Sequence, residues 1–206
     1  MPGSRTWSGG GRLLGAALAG LVVPVAGLAA LAEGPPQEVA AIEPAPLGGR
    51  FILAAHDGRT VTDEDFRGRH LLVFFGYTHC PDVCPTSLQT VAHVLELLGP
   101  AADRVQPVFI TVDPARDTSK VLAAFVNHFD ARIIGLTGSE PMIDRVAKGF
   151  RVKYQKSEPS KDGFYSVDHT AALFHVGPAG QSIGRFNYEV PAEEIAAALR
   201  AAIAVE

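Results

Sequence analysis

The sequence predicts an α/β domain with a central, mostly parallel sheet flanked by helices. Three observations carry this. Strand-like and helix-like segments alternate from residue 70 to residue 150, which is the pattern of parallel strands joined by crossover helices. The runs at 70–75 and 105–112 are nearly all apolar, as expected of strands buried on both faces. The chain then closes with a hairpin, 170–176 and 182–188 across Gly177-Pro178-Ala179-Gly180, and a final helix.

Each element has a local reason. Residues 51–54, the turn His56-Asp57-Gly58-Arg59 and Thr60-Val61 read as a small N-terminal hairpin, and Thr62-Asp63-Glu64-Asp65 as a short helical turn before Gly68. After the strand at 70–75, Pro85 suits a first helical position, and that helix runs to Leu98 and stops at Gly99-Pro100. The strand at 105–112 precedes a helix capped by Asp117 or Thr118 and ending near Phe129. Residues 133–136 form a short strand, Glu140-Pro141 opens a helix that ends near Phe150, and 152–155 is extended. The polar segment 156–163 reads as a loop or hairpin that helps place His169. Residues 191–205 form an alanine-rich last helix.

The N-terminus differs from this domain. Leu13 to Ala32 is twenty residues without a charge, about 30 Å as a helix and enough to cross a bilayer. Arg5 and Arg12 precede it and no basic residue comes after it until Arg50, so the N-terminus is expected to stay cytoplasmic and the rest to be exported. Residues 1–32 are therefore a membrane anchor or a signal segment. Ala30-Leu31-Ala32 resembles a cleavage site, whereas the length of the apolar run exceeds a signal core and favours an uncleaved anchor. Residues 33–49 carry four prolines and three glycines and form a semi-rigid tether, with a reach of roughly 50 Å at about 3.1 Å per residue. The folded domain is residues 50–206.

Composition excludes some classes. The chain is 47% hydrophobic and 19% charged, which is globular rather than disordered. Its net charge is −4, and without Arg5 and Arg12 the remainder holds 16 basic against 22 acidic residues. No basic stripe is present, so nucleic acid is not an expected partner.

The chemistry is concentrated in Cys80-Pro81-Asp82-Val83-Cys84-Pro85, which holds the only two cysteines of the chain. They come directly after the first core strand and open a helix. The i, i+4 spacing puts both sulfurs on one side, and the helix N-terminus is expected to lower both thiol pKa values. Thiolates are soft donors suited to Cu(I) or zinc, and two sulfurs need a third donor. The best candidate is His169, read as standing just before a core strand, with Asp168 beside it able to orient the imidazole. A local structural disulfide is the plainer alternative. The chain-entropy model gives so short a loop only about 2 kcal/mol. His79 neighbours Cys80 but is expected to point elsewhere. His56 and His128 lie in a turn and near a helix end, and His70, His93 and His175 read as packing or surface residues. Asp82 is either a solvated loop charge or a docking carboxylate. Asp113-Pro114 with Arg116-Asp117 reads mainly as a loop-to-helix entry.

A thiol pair at the top of the first strand-to-helix turn is a thioredoxin-like arrangement. Three stretches make the resemblance specific: Gly76-Tyr77-Thr78-His79-Cys80-Pro81-Asp82-Val83-Cys84-Pro85, Thr111-Val112-Asp113-Pro114-Ala115-Arg116-Asp117-Thr118 and Val167-Asp168-His169-Thr170. In this order they resemble the signatures of the Sco/SenC copper-chaperone family over essentially all of residues 50–206. The resemblance implies a thioredoxin-like fold with an N-terminal extension and hairpin. It implies one copper ion per domain, as Cu(I) or Cu(II), on Cys80, Cys84 and His169. The function implied is help in assembling the dinuclear copper centre of cytochrome c oxidase. Its partners would then be the copper-bearing oxidase subunit, a periplasmic thiol reductant, a second copper chaperone and the membrane. An inner-membrane protein with its domain in the periplasm is favoured over a mitochondrial one, since the first 32 residues lack an amphipathic arginine-rich presequence. The competing function is a thiol-disulfide oxidoreductase that reduces the acceptor's cysteines, which needs Cys80 and Cys84 but not His169. A third reading is a peroxidase or redox sensor.

Overall fold

Two sheets order residues 50–205, which are the residues described by the computed structural model. The anchor and tether expected at 1–32 and 33–49 lie outside them. In chain order the elements are β1 (Ile52–Ala55), β2 (Thr60–Thr62), β3 (His70–Gly76), α1 (Val83–Leu98), β4 (Val105–Thr111), α2 (Ser119–Phe129), β5 (Ile134–Thr137), α3 (Glu140–Gly149), β6 (Tyr154–Lys156), β7 (Val167–His169), β8 (Ala172–Val176), β9 (Ser182–Asn187) and α4 (Ala192–Ala204). Short 3-10 turns cover Asp63–Phe66 and Gly99–Arg104.

The large sheet has the order β2-β1-β5-β4-β3-β8-β9. Its centre, β3-β4-β5, is parallel. β1 and β2 extend one flank and β8 and β9 the other, all antiparallel. Successive strand residues face opposite ways, and the phenylalanines show it. Phe74 packs on Phe109, which meets Phe125 of α2, with ring centroids 6.1 and 5.5 Å apart. Phe75, on the other face, packs on Phe150 at the end of α3 and on Phe174, at 5.3 and 6.0 Å. Helices therefore cover both faces. α4 buries Ala192, Ile195, Ala196 and Leu199, the stripe of an amphipathic helix, and Arg200 donates to the Leu97 carbonyl at the end of α1. Among the described residues, no helix is long and apolar enough to cross a membrane.

Three details refine or depart from the expectations. α1 begins at Val83, so Pro85 is its third residue rather than its first. A proline is tolerated there because first-turn N–H groups have no intrahelical acceptor. The cap of α2 is Thr118, whose hydroxyl accepts from the Val121 N–H, and Asp117 is freed for another task. Residues 167–169 do not run into the core strand. They form β7, which pairs with β6 in a separate two-stranded sheet. Of the loop or hairpin expected at 156–163, residues 157–163 are part of the connection between β6 and β7, and the hairpin these strands form carries His169 at its base.

The register of the parallel centre brings the two loops of the site together. β3 and β4 pair from His70 opposite Val105 to Gly76 opposite Thr111, so both strands end at the same level. The loops 77–82 and 112–118 therefore leave the sheet side by side, at the carboxyl ends of parallel strands, where open α/β sheets place their sites.

Candidate metal centre

Cys80, Cys84 and His169 converge. Their donor atoms all lie within 4.8 Å of one another. Cys84 Sγ is 3.4 Å from His169 Nε2, and the Cys84 N–H donates to Cys80 Sγ at 3.5 Å. That last bond is the helix N-terminus at work: an N–H without an intrahelical acceptor finds a sulfur instead. Cys84 is fully buried, while Cys80 and His169 are half-buried. One sulfur thus forms the floor of the site, and the other sulfur and the imidazole form its rim.

The imidazole is held on three sides. Its ring stands edge-on to Phe74 and Tyr77, each 6.0 Å away by centroid. Nδ1 lies 3.2 Å from the Thr170 carbonyl, which can only accept, so Nδ1 carries the proton and Nε2 turns its lone pair toward the two sulfurs. This is the orienting bond a ligand histidine needs. The sequence alone offers Asp168 for that task. Asp168 is exposed, and the neighbouring backbone performs it instead. A backbone carbonyl leaves no mark in a sequence.

The two thiols do not behave alike, contrary to the expectation that both are acidified. The Cys80 thiol is pulled down to about 5, first by the hydrogen bond it receives from Cys84, against the cost of its burial, with the backbone N–H groups of Asp82 and Cys84 adding to the effect. The Cys84 thiol is pushed up, because it is the donor in that bond and because it is buried. Two like charges at such a distance cannot both form in a low dielectric. The metal-free pair therefore holds one proton on Cys84 and one negative charge on Cys80. A bound cation would neutralise the second thiolate, so proton release accompanies metal capture.

Around the donors, His79 turns away. Its Nδ1 is 3.1 Å from the Thr78 hydroxyl, and the ring is half-exposed. Asp82 is exposed beside the thiols and makes no side-chain capping bond. Asp117 is fully buried and accepts from the Thr78 N–H at 3.0 Å and from the hydroxyls of Thr78 and Thr111, each at 2.6 Å. It ties the thiol loop to the end of β4. Asp113, also fully buried, pairs with Arg116 and accepts from the Tyr165 hydroxyl at 2.9 Å. In the sequence these two acids look like a helix entry, and nothing in the local pattern reveals their distant partners. The other histidines stay outside: His56 accepts from the Gly135 N–H, and His70 and His175 meet in the core.

The donor set fits a soft metal ion. Two sulfurs and one neutral imidazole suit Cu(I) or zinc, and three protein donors leave a position open on the rim.

Comparison with known proteins agrees with this geometry. The SCO1/SenC family model matches residues 39–204. The chain is 39% identical over 155 residues to the human mitochondrial SCO1 homolog, covering 74% of this chain and 52% of that protein. It therefore spans about half the length of the first curated relatives it matches. Among solved structures, ScoI of Bradyrhizobium japonicum with copper bound is 42% identical with a TM-score of 0.71, covering 76% of this chain and 99% of that one. Arabidopsis thaliana ScoI with copper bound is 34% identical with a TM-score of 0.73, covering 78% and 99%. The fold is accordingly thioredoxin-like, and the chain belongs to the SCO1/SenC family.

Proposed function

We propose that this protein carries one copper ion per domain on Cys80, Cys84 and His169 and delivers it during assembly of the dinuclear copper centre of cytochrome c oxidase. The observation that supports this most directly is the convergence of two sulfurs and one imidazole within 4.8 Å, in a chain similar to proteins solved with copper bound. Copper is cargo here. The half-buried rim of Cys80 and His169 gives an acceptor's thiolates a side from which to enter, so transfer proceeds by exchange of ligands. Delivery of this kind involves no turnover, and the protein is not an enzyme in this reading. Its partners are the copper-bearing oxidase subunit, a thiol reductant that keeps Cys80 and Cys84 open, and a second copper chaperone. The arginine-flanked apolar run at 13–32 supports a domain held at the inner membrane on its periplasmic side.

One observation favours a second reading. An acidified, half-exposed Cys80 beside a buried, protonated Cys84 is the asymmetry of a nucleophilic and a resolving thiol. Such a pair can reduce a disulfide on the acceptor before copper arrives.

Titration of the reduced protein with Cu(I) against a calibrated chelator, beside His169→Ala, separates the two. Tight binding of one copper with a large loss in the variant supports delivery. Equal affinities, together with undiminished disulfide reduction by the variant, would move the function to thiol-disulfide exchange.

A further inference from the structure

We infer that the loop 112–118 sets the spacing between the thiols and the imidazole, with Asp113 and Arg116 as positioning residues for His169. The inference rests on the proposed three-donor site and adds to it a device that holds the third donor in place.

The need for such a device arises from the topology. Cys80 and Cys84 leave the end of β3, inside the large sheet. His169 belongs to the separate β6–β7 pair, only three residue pairs long. A two-stranded ribbon of this length does not hold its own position in water. Its placement must come from contacts outside it.

Val167 is anchored in the core, and the polar contacts of the hairpin with the rest of the domain centre on one carboxylate. Arg116 bonds Asp113 through Nε and donates from Nη1 to the Tyr165 carbonyl at 3.0 Å. Its guanidinium also lies over the Tyr165 ring, 3.6 Å from the centroid. The Tyr165 hydroxyl returns to Asp113 at 2.9 Å. From the opposite strand, Lys156 Nζ sits 3.7 Å from Asp113 and 2.8 Å from Glu140 of α3. Tyr165 stands two residues before β7, and Lys156 is the last residue of β6. The hairpin is thus gripped on both arms at one level. Arg116 also faces the Tyr77 ring at 5.6 Å, and Tyr77 in turn stands edge-on to His169.

The same loop holds the other half of the site. Asp117 accepts from the Thr78 backbone and hydroxyl and so fixes the strand end that leads to Cys80. Asp113 and Asp117 are both fully buried and only four residues apart. One short segment therefore grips the sulfur side with one carboxylate and the imidazole side with the other. A buried carboxylate is costly unless its bonds are complete. Two of them in one loop, each reaching a different part of the site, fit a spacer better than a simple helix entry.

The test is a double-mutant cycle in the full chain, with Cu(I) affinity measured by chelator competition for the parent, Arg116→Ala, His169→Ala and the pair. Arg116→Ala is expected to weaken binding by roughly 10- to 100-fold, the usual effect of losing a group that orients a metal ligand. In the His169→Ala background it is expected to cost nothing further, since its effect passes through that ring. Parent-like affinity for Arg116→Ala, or an equal loss in both backgrounds, overturns the inference. A metal-free readout keeps it separate from the copper reading. Amide exchange at β6 and β7 should accelerate about tenfold or more in Arg116→Ala while β3 and β4 keep their protection. Unchanged exchange in the hairpin overturns the clamp even if copper binding is confirmed, and a parent indifferent to His169→Ala overturns the three-donor site alone. Where Arg116→Ala does not fold, Tyr165→Phe removes only the hydroxyl bond to Asp113. A several-fold loss confined to the His169 background supports the clamp, and parent-like affinity and exchange refute it.

Discussion

Gly76 leaves room for the Cys84 sulfur. A Cβ placed on Gly76 would meet Cys84 Sγ at 2.7 Å and ring atoms of Phe109 and Phe74 at 2.9 and 3.0 Å. The glycine is not among the residues with a positive φ, so what it supplies is space rather than backbone freedom. Gly76→Ala must therefore displace both the sulfur and the packed Phe109 ring, or shift the strand that carries it. Overpacking of this sort costs about 1–3 kcal/mol, to be read from chemical denaturation. Metal affinity should fall by about tenfold or more, because Cys84 is the donor displaced. A variant with parent-like affinity would mean the sulfur swings aside without cost and that the close approach is incidental.

The split between the thiols predicts their reactivity. In the reduced, metal-free protein, alkylation should modify Cys80 quickly, with a rate that rises with pH and levels off above about pH 5. Cys84 should stay unmodified in the native state, since it is buried and its proton is retained. The largest cause of the Cys80 shift is the bond from the Cys84 thiol, so Cys84→Ala should move the Cys80 midpoint upward, toward the ordinary thiol value. Mass spectrometry of the alkylated peptides over a pH series measures both. A midpoint unmoved in Cys84→Ala would show that the helix N-terminus, and not the neighbouring thiol, acidifies Cys80.

Asp117 offers a test of the loop on the sulfur side. Its carboxylate accepts from one backbone N–H and two hydroxyls in a site without solvent. Asp117→Ala strands those donors, and the Thr78 N–H has no simple replacement partner. A loss of about 3 kcal/mol in unfolding free energy is expected, typical of a broken buried network. A denaturation midpoint within error of the parent would place Thr78 in contact with solvent instead.

Much of this architecture is readable from the sequence, and the exceptions share one cause. The apolar runs of β3 and β4 and the caps and breakers of the helices are local patterns, and these elements lie within a few residues of their expected places. The donors are legible because cysteine is scarce here and because three motifs resemble one family in order. What escapes depends on partners far away in sequence. Asp117 looks like a helix cap until Thr78 and Thr111 are folded against it. Asp113 shows no tie to Tyr165, 52 residues on. The pairing of residues 167–169 with 154–156 escapes because period and composition cannot say which sheet a three-residue strand joins. The orienting carbonyl of Thr170 belongs to the backbone and has no letter of its own.

The core holds a second pair of interacting groups, far from the thiols in function. His70 Nδ1 and His175 Nε2 are 2.9 Å apart, on neighbouring strands β3 and β8, and both residues are buried. One nitrogen must donate and the other accept, so the pair is stable with both rings neutral. Burial, and then the charge His70 would carry, push the His175 pKa down to about 4 from the ordinary value of 6.5. The sign comes from linkage. Between pH 6.5 and 4 the unfolded chain binds a proton at this residue that the folded chain refuses, so stability rises with pH through that window. It is fully present above pH 6.5 and is lost as the pH falls. A shift of this size corresponds to at most about 3 kcal/mol. Urea unfolding at about pH 7 and about pH 5 should show the parent losing stability on acidification. His175→Gln keeps a neutral hydrogen-bonding group opposite His70 but cannot accept that proton, so its loss over the same interval should be smaller. Equal losses in parent and variant would mean that carboxylates elsewhere in the domain, rather than this pair, account for the acid sensitivity.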